Sequence, residues 1–373
     1  MARLDQICKL NMGQSPDSTS YNENGNGMPF FQGNADFGML HPTVRVWCSD
    51  PTKVANPGDI LISVRAPIGA LNVADVKCCI GRGLAALTVD ESKCTKEYLW
   101  HAIRSKVSEL NSKGTGSTFK AISKNTLAET EIPLPTLDDQ RHISASMDKC
   151  DHLISLRREQ LAKLDELIKA RFVELFGDMA HSSNKVCLEE ISDFVTVGIA
   201  NSATHAYADS GVVMLRNQNI KENYLDENDL IYITPDFAKK YGSKQLTEND
   251  ILVIRTGYPG VACLVPKKYA GCQTFTTLIV RLKDSTFAHA NYVCHYINSS
   301  FGKDYVEQSK VGVAQQNFGA KALAKMPIAI PTMDLQEQFA AFVKQTDKSK
   351  LAIQKSLKEL ETLKKALMQK YFG

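Results

Sequence analysis

The side chains of this 373-residue chain that are best suited to recognition chemistry sit in polar loops, in both halves of the sequence. In the first half, G-Q-S-P-D-S-T-S-Y-N (residues 13–22) carries Gln14, Ser15, Tyr21 and Asn22, and F-Q-G-N-A-D-F (31–37) carries Gln32 and Asn34. S-V-R-A-P (63–67) adds Arg65, and G-R-G (81–83) adds Arg82. In the second half, L-R-N-Q-N-I-K (215–221) carries Arg216, Asn217, Gln218, Asn219 and Lys221, and I-R-T-G-Y-P-G (254–260) carries Arg255, Thr256 and Tyr258. Asn and Gln can pair bidentately with adenine and Arg with guanine, while hydroxyls and lysines reach phosphates. The stretch from Lys113 to Lys120 is a further candidate phosphate loop. Each loop has a plainer reading. Asn/Gln/Gly/Ser clusters form ordinary surface turns, Arg65 and Arg255 can serve a structural salt bridge or carbonyl clamp, and 113–120 can be a helix-entry turn. Arg65 and Arg255 fall in equivalent turns after a strand, which favours a shared use of the two.

Catalytic patterns are missing. An adenine methyltransferase loop, N/D-P-P-Y/F, finds only N-P-G at Asn56 and D-P-T at Asp50. The nearest approach to G-x-x-x-x-G-K-[ST], at residues 114–120, lacks the lysine after its second glycine. There is no H-E-x-x-H, and Pro235-Asp236 is followed by no carboxylate-x-Lys on a nearby strand. The eight histidines are dispersed, so no acid–base pair is suggested. The expectation is a non-catalytic binder with no cofactor or metal of its own. Hydrophobic content of 43% and charged content of 23% are those of a globular protein. The net charge of +3 neither demands nor excludes nucleic acid. Ten cysteines without a C-x-x-C argue for a reducing cytoplasm. No apolar run approaches a membrane span, and M-A-R-L-D-Q-I is not a signal peptide, so neither membrane nor export is expected.

The elements that must position these loops come from an internal repeat. I-P-L-P-T-L-D-D-Q (132–140) opens a heptad-patterned stretch ending in L-F-G (175–177), and I-A-I-P-T-M-D-L-Q (328–336) opens one ending in Y-F-G (371–373). Pro135 and Pro331, Gln140 and Gln336, and Gly177 and Gly373 are each 196 residues apart (336 − 140 = 196). Upstream the offset drifts, from 184 at Leu4/Leu188 to 191 at Asp59/Asp250. Drift fits surface insertions in globular domains; a constant offset fits a helix whose length is constrained. The heptad seam runs through Ile143, Met147, Cys150, Ile154, Arg157, Leu161, Leu164, Ile168, Arg171 and Leu175. Its second copy runs through Phe339, Val343, Thr346, Lys350, Ile353, Leu357, Leu360, Lys364, Leu367 and Tyr371. Thr136 and Asp138, or Thr332 and Asp334, offer N-cap chemistry, and Gly177 a C-terminal stop. A helix from Asp138 to Phe176 would be about 58 Å long at ~1.5 Å per residue. Ahead of each helix, D-I-L-I-S-V (59–64) and D-I-L-V-I (250–254) read as buried strands. L-A-A-L-T-V (84–89) and T-L-I-V-R-L (277–282) are their expected partners, and residues 97–105 and 291–299 have helical spacing.

The expected class is α+β. Two globular domains (1–136 and 178–332) are joined by two long antiparallel helices (137–177 and 333–373) as a coiled coil with pseudo-two-fold symmetry.

P-L-P-T-L-D-D-Q…L-D-E-L-I-K-A-R-F-V-E-L-F-G, its C-terminal repeat, G-D-I-L-I-S-V-R-A-P-I-G and G-Q-S-P together resemble the specificity subunits of type I restriction-modification systems over the whole chain. That resemblance implies two target recognition domains, each reading one half of a split double-stranded DNA site, with the helices as spacer. It also implies partners: two modification subunits that methylate adenine N6, and restriction subunits that translocate and cut. S-adenosylmethionine, ATP and Mg belong to those partners. Domain 2 has R-T-G-Y-P-G where domain 1 has V-R-A-P-I-G, and no counterpart of G-Q-S-P, so the two half-sites are expected to differ. The second helix lacks the F-V-E-L run before its F-G, so its docking surface need not copy the first. The competing expectation is a scaffold that joins proteins through the coiled coil without reading DNA.

Overall fold

The computed structural model describes residues 1–116, 120–177, 184–200, 203–284, 288–311 and 317–373. The chain forms two compact units, residues 1–159 with 354–373, and residues 160–353. Each long helix contributes one part to each unit.

In the first unit, an antiparallel sheet has the order Cys8–Met12, Leu84–Val89, Ile60–Ser63, Leu71–Val73. The expected pairing of residues 60–63 with 84–89 is present, with Leu87 opposite Ile60. Ile60–Ser63 is buried throughout, as a strand covered on both faces must be. Asp59 closes the preceding N-P-G-D turn by accepting the Asn56 N–H at 2.8 Å. A second sheet of five strands has a parallel pair within it, Met28–Phe31 beside Cys78–Ile80. The helix Lys96–Ser112 starts at a Thr95 cap and buries Tyr98, Leu99, Ala102 and Ile103 at helical spacing in one core with Ile60, Ile62 and Leu87.

The second unit repeats this plan. Its sheet order is Ser192–Val197, Leu278–Leu282, Ile251–Val253, Ala262–Leu264. Val212–Leu215 lies parallel to Gln273–Thr274, and two helices, Ala290–Asn298 and Ser300–Ser309, take the place of 96–112. Asp250 accepts the Thr247 N–H at 2.8 Å, as Asp59 does in its own turn. It also holds Arg281 bidentately at 2.8 and 2.7 Å, and that guanidinium lies over the Phe194 ring at 4.7 Å. Gly69 and Gly260 occupy one position in the two units. Both have positive φ (91° and 92°), and a Cβ would meet the side chain of Val107 or Val306 at under 3.0 Å. Any side chain there would strain the backbone and displace the helix behind it.

The long helices run over Leu137–Phe176 and Met333–Phe372, 40 residues each. Thr136 caps the first by accepting the Asp139 N–H at 3.2 Å. Asp138 does not cap; it pairs with Arg141 at 2.8 Å. Gly177 ends the helix with φ 58°. Every expected seam position in both helices is buried or half-buried. Within the first unit, Arg158 pairs with Glu361 and Asp151 with Lys364, so those segments run antiparallel. Within the second, Lys350 pairs with Asp165 at 2.6 Å and the Phe172 ring meets Phe339 at 5.4 Å, again antiparallel. The polar interruptions of the seam thus include ion pairs across it.

Candidate nucleic-acid interface

Five segments of the first unit converge at one end of its sheets. The Val64 N–H donates to Gly83 O at 2.9 Å, and the Gly83 N–H to Gln32 O at 3.2 Å. The Gln14 N–H donates to Ile80 O at 3.0 Å, the Arg82 N–H to Ser15 Oγ at 3.3 Å, and the Ala66 N–H to Lys120 O at 3.0 Å. Backbone N–H groups, one of them donating to the Ser15 hydroxyl, therefore hold residues 14–15, 32, 64–66, 82–83 and 120 together. The side chains of Gln14, Gln32, Arg65, Arg82 and Lys120 are exposed there. Three are long donors of positive charge and two are carboxamides, a set able to hold phosphates and meet base edges in a groove.

Other expected residues of this unit serve the loops themselves. Tyr21 stacks on Phe30 at 4.7 Å between centroids and donates its hydroxyl to Pro16 O at 2.9 Å, bracing the 13–17 loop. The Asn22 carboxamide accepts the Asn24 and Asn26 N–H groups and donates to Asn26 O, closing its own turn. Asn34 begins a short 3-10 turn ending in Asp36, whose carboxylate accepts the Gln32 N–H at 2.8 Å and pairs with Arg45. Lys113 pairs with Glu109 at 2.6 Å one helical turn back, and that hydrogen bond holds the Glu109 carboxyl below the usual carboxylate range. Residues 117–119 of the 113–120 stretch lie outside the described residues.

In the second unit the matching position is built differently. The Asn217 carboxamide donates to Thr256 O and Oγ1, both at 3.3 Å, and Arg255 Nε donates to Asn317 Oδ1 at 2.9 Å. Arg255 and Thr256 are half-buried, whereas Gln218 is exposed and Tyr258 is 82% exposed at the tip of the turn. Arg216 donates to Asp229 O at 2.5 Å. Asn219 is fully buried; it accepts the Arg216 N–H and donates to Asp226 O and Asn228 O, so its amide is spent on the loop. Lys221 lies in the ribbon Ile220–Lys221 with Tyr224–Leu225, beside Glu222, which pairs with Lys169 and Lys303.

The register between the units corrects one expectation. The Ile122 N–H donates to Val64 O where the Phe318 N–H donates to Arg255 O. Arg65 bridges Ala121 where Thr256 bridges Asn317. Arg65 therefore corresponds to Thr256, and Arg255 to Val64. One residue of slip reverses the face a side chain takes on an extended segment. That is why Arg65 is exposed and Arg255 is turned inward against Asn317, a residue not singled out from the sequence. Its only sequence signal is its place ahead of Phe318, matching Ala121 ahead of Ile122.

Two units with one order in their four-stranded sheet, one loop site and divergent loop chemistry describe a duplicated module. The family model for the type I restriction modification DNA specificity domain matches residues 1–166 and again 182–364. The chain belongs to that specificity family. It is 40% identical over 165 residues to the putative type I restriction enzyme MjaX specificity subunit of Methanocaldococcus jannaschii, a match spanning 44% of this chain and 39% of that one. It is 19% identical over 407 aligned positions to the type I restriction enzyme EcoBI specificity subunit of Escherichia coli, spanning 99% of this chain and 84% of that one. In fold it is similar to the crystal structure of a type I restriction-modification S subunit from M. genitalium, with a TM-score of 0.57, 14% identity, and coverage of 100% of this chain and 95% of that one. Family membership makes the chain a DNA-specificity component rather than a catalytic one. Among the described residues, no cluster of His, Cys, Asp or Glu could hold a metal ion, and no helix is long and apolar enough to cross a membrane.

Proposed function

We propose that this specificity-family chain reads an asymmetric, bipartite site on double-stranded DNA within a type I restriction-modification complex in the cytoplasm. Residues 1–136 read one half-site and residues 178–332 the other, and the long helices (137–177 and 333–373) act as spacer. In the first domain Gln14, Gln32, Arg65, Arg82 and Lys120 face the DNA, supported by Ser15 and the Tyr21 brace. In the second, Gln218 and Tyr258 face it, with Asn217, Arg255 and Thr256 shaping the turn. The observation that carries this reading is the divergence at one shared loop site: exposed Arg65 in the first unit, Thr256 anchored by Asn217 in the second. Base readout supplies specificity, and phosphate contacts supply affinity that falls with salt.

The partners in this reading are two modification subunits, which flip and methylate adenine at N6, and restriction subunits. S-adenosylmethionine, ATP and Mg act in those partners. The test is to reconstitute the chain with modification subunits, DNA and labelled S-adenosylmethionine, then map the methylated motif. Exchanging residues 178–332 for those of another specificity chain should change one half of the motif only. A change in both halves refutes the modular account, methyl transfer by the chain alone refutes the non-catalytic role, and methylation without site preference favours a scaffold.

A further inference from the structure

Gln140 and Gln336 are repeat-equivalent, lie in the first turn of their long helices and are completely buried. In the first unit, Gln140 Oε1 accepts the Thr95 N–H at 2.8 Å, and Nε2 donates to Lys93 O and Pro135 O, both at 3.0 Å. Thr95 is the N-cap of the domain helix Lys96–Ser112. In the second unit, Gln336 Oε1 accepts the N–H of His289, the N-cap of Ala290–Asn298, at 2.8 Å, and Nε2 donates to Pro331 O at 3.0 Å. One carboxamide therefore joins the start of each long helix to the start of the domain helix in the same unit. A second fixed point is also duplicated. The Tyr98 hydroxyl donates to Pro133 O at 2.9 Å and its ring meets Phe372 at 5.2 Å. The Tyr292 hydroxyl donates to Ala329 O at 2.6 Å and its ring meets Phe176 at 4.7 Å.

Filling a buried space needs only an apolar side chain of similar length. A buried carboxamide that must donate and accept at once admits one arrangement of its neighbours, so it specifies direction as well as volume. We infer that Gln140 and Gln336 are positioning residues that lock each recognition domain to its spacer helix, and so set the strictness with which the complex measures the distance between half-sites. This rests on the DNA-reading function proposed above.

The experiment uses the reconstituted complex and DNA duplexes with both half-sites intact and spacers from two base pairs shorter to two longer than the preferred length. Gln140→Met and Gln336→Met should each lose about tenfold of the discrimination between neighbouring spacer lengths, with the half-site bases unchanged. Amide hydrogen exchange at Thr95 or His289 should quicken by about tenfold in the matching variant. Should a methionine variant fail to fold, Gln140→Asn or Gln336→Asn keeps a carboxamide and draws it back from its partners by one methylene. Unchanged spacer strictness in a folded variant overturns the inference alone. A wild-type complex without any preferred site overturns the recognition reading, and the inference with it.

Discussion

At the scale of single residues, the loops separate into side chains that face outward and side chains that hold the loop in shape. Arg65 and Arg82 are exposed on backbone that hydrogen bonds pin in place. Truncating either to alanine should weaken binding to one half-site by about 5–150-fold, equivalent to ~1–3 kcal/mol for a base-reading arginine. Competition binding with half-site variants checks this. If the contact is to phosphate instead, the loss will be uniform across sequences and the salt dependence will fall. Asn219 belongs to the other kind. Asn219→Ala should leave Asp226 O, Asn228 O and the Arg216 N–H without their partner, at a cost to the second unit of about 1–3 kcal/mol. Denaturant titration should show the loss, with the specificity of the folded fraction intact. The sequence could not separate Asn219 from Gln218, because neighbours of one chemical type differ only in which way the 3-10 turn aims them.

At the scale of elements, the C-terminal ends of the long helices do more than the heptad pattern suggests. Phe172, Phe176 and Phe339 meet Tyr292 and His295 in one aromatic cluster of the second unit. Phe172→Ala should cost that unit about 3–5 kcal/mol, the usual range for a buried phenylalanine, visible as a lower unfolding midpoint. In the first unit Met368 and Phe372 occupy the corresponding place, so the absence of F-V-E-L from the second helix is met by a different packing. The histidines on the domain helices diverge as well. His101 pairs with Asp148 at 2.8 Å, yet burial outweighs the carboxylate and lowers its pKa. His295 is pushed down to about 3, by burial first and then by Lys350 and Lys169, against the opposing pull of Glu222. An unfolded histidine takes up a proton below ~6.5 while folded His295 does not. Its contribution is therefore present above that pH and lost as the pH falls towards 3, at ~1.4 kcal/mol per pH unit. Urea midpoints at pH 7 and pH 4.5 should differ less in His295→Leu than in the parent.

At the scale of the whole molecule, the constant 196-residue offset and the two 40-residue helices follow from one constraint on length. Inserting four residues after both Leu161 and Leu357 should lengthen the preferred DNA spacer by about two base pairs, from ~1.5 Å per helical residue and ~3.4 Å per base pair. Mapping the methylated motif checks this. The half-site bases should stay the same, because no reading loop is touched.

The sequence by itself determined the duplicated plan, one strand pair in each unit, both long helices and the ten positions of each heptad seam. These follow from local periodicity, turn chemistry and repeat spacing, which leave their mark within a few residues. Only the tertiary structure decided which polar side chains face outward. It turned Arg255 inward and left Tyr258 exposed, it spent Asn22 and Asn219 on their own turns, and it buried Gln140 and Gln336 between helices. The direction a loop side chain takes depends on register against segments far away in the chain. The 191-residue offset between Asp59 and Asp250 already sets Arg65 against Thr256, but which face each side chain takes, and that Asn317 receives Arg255, is settled only when those segments meet.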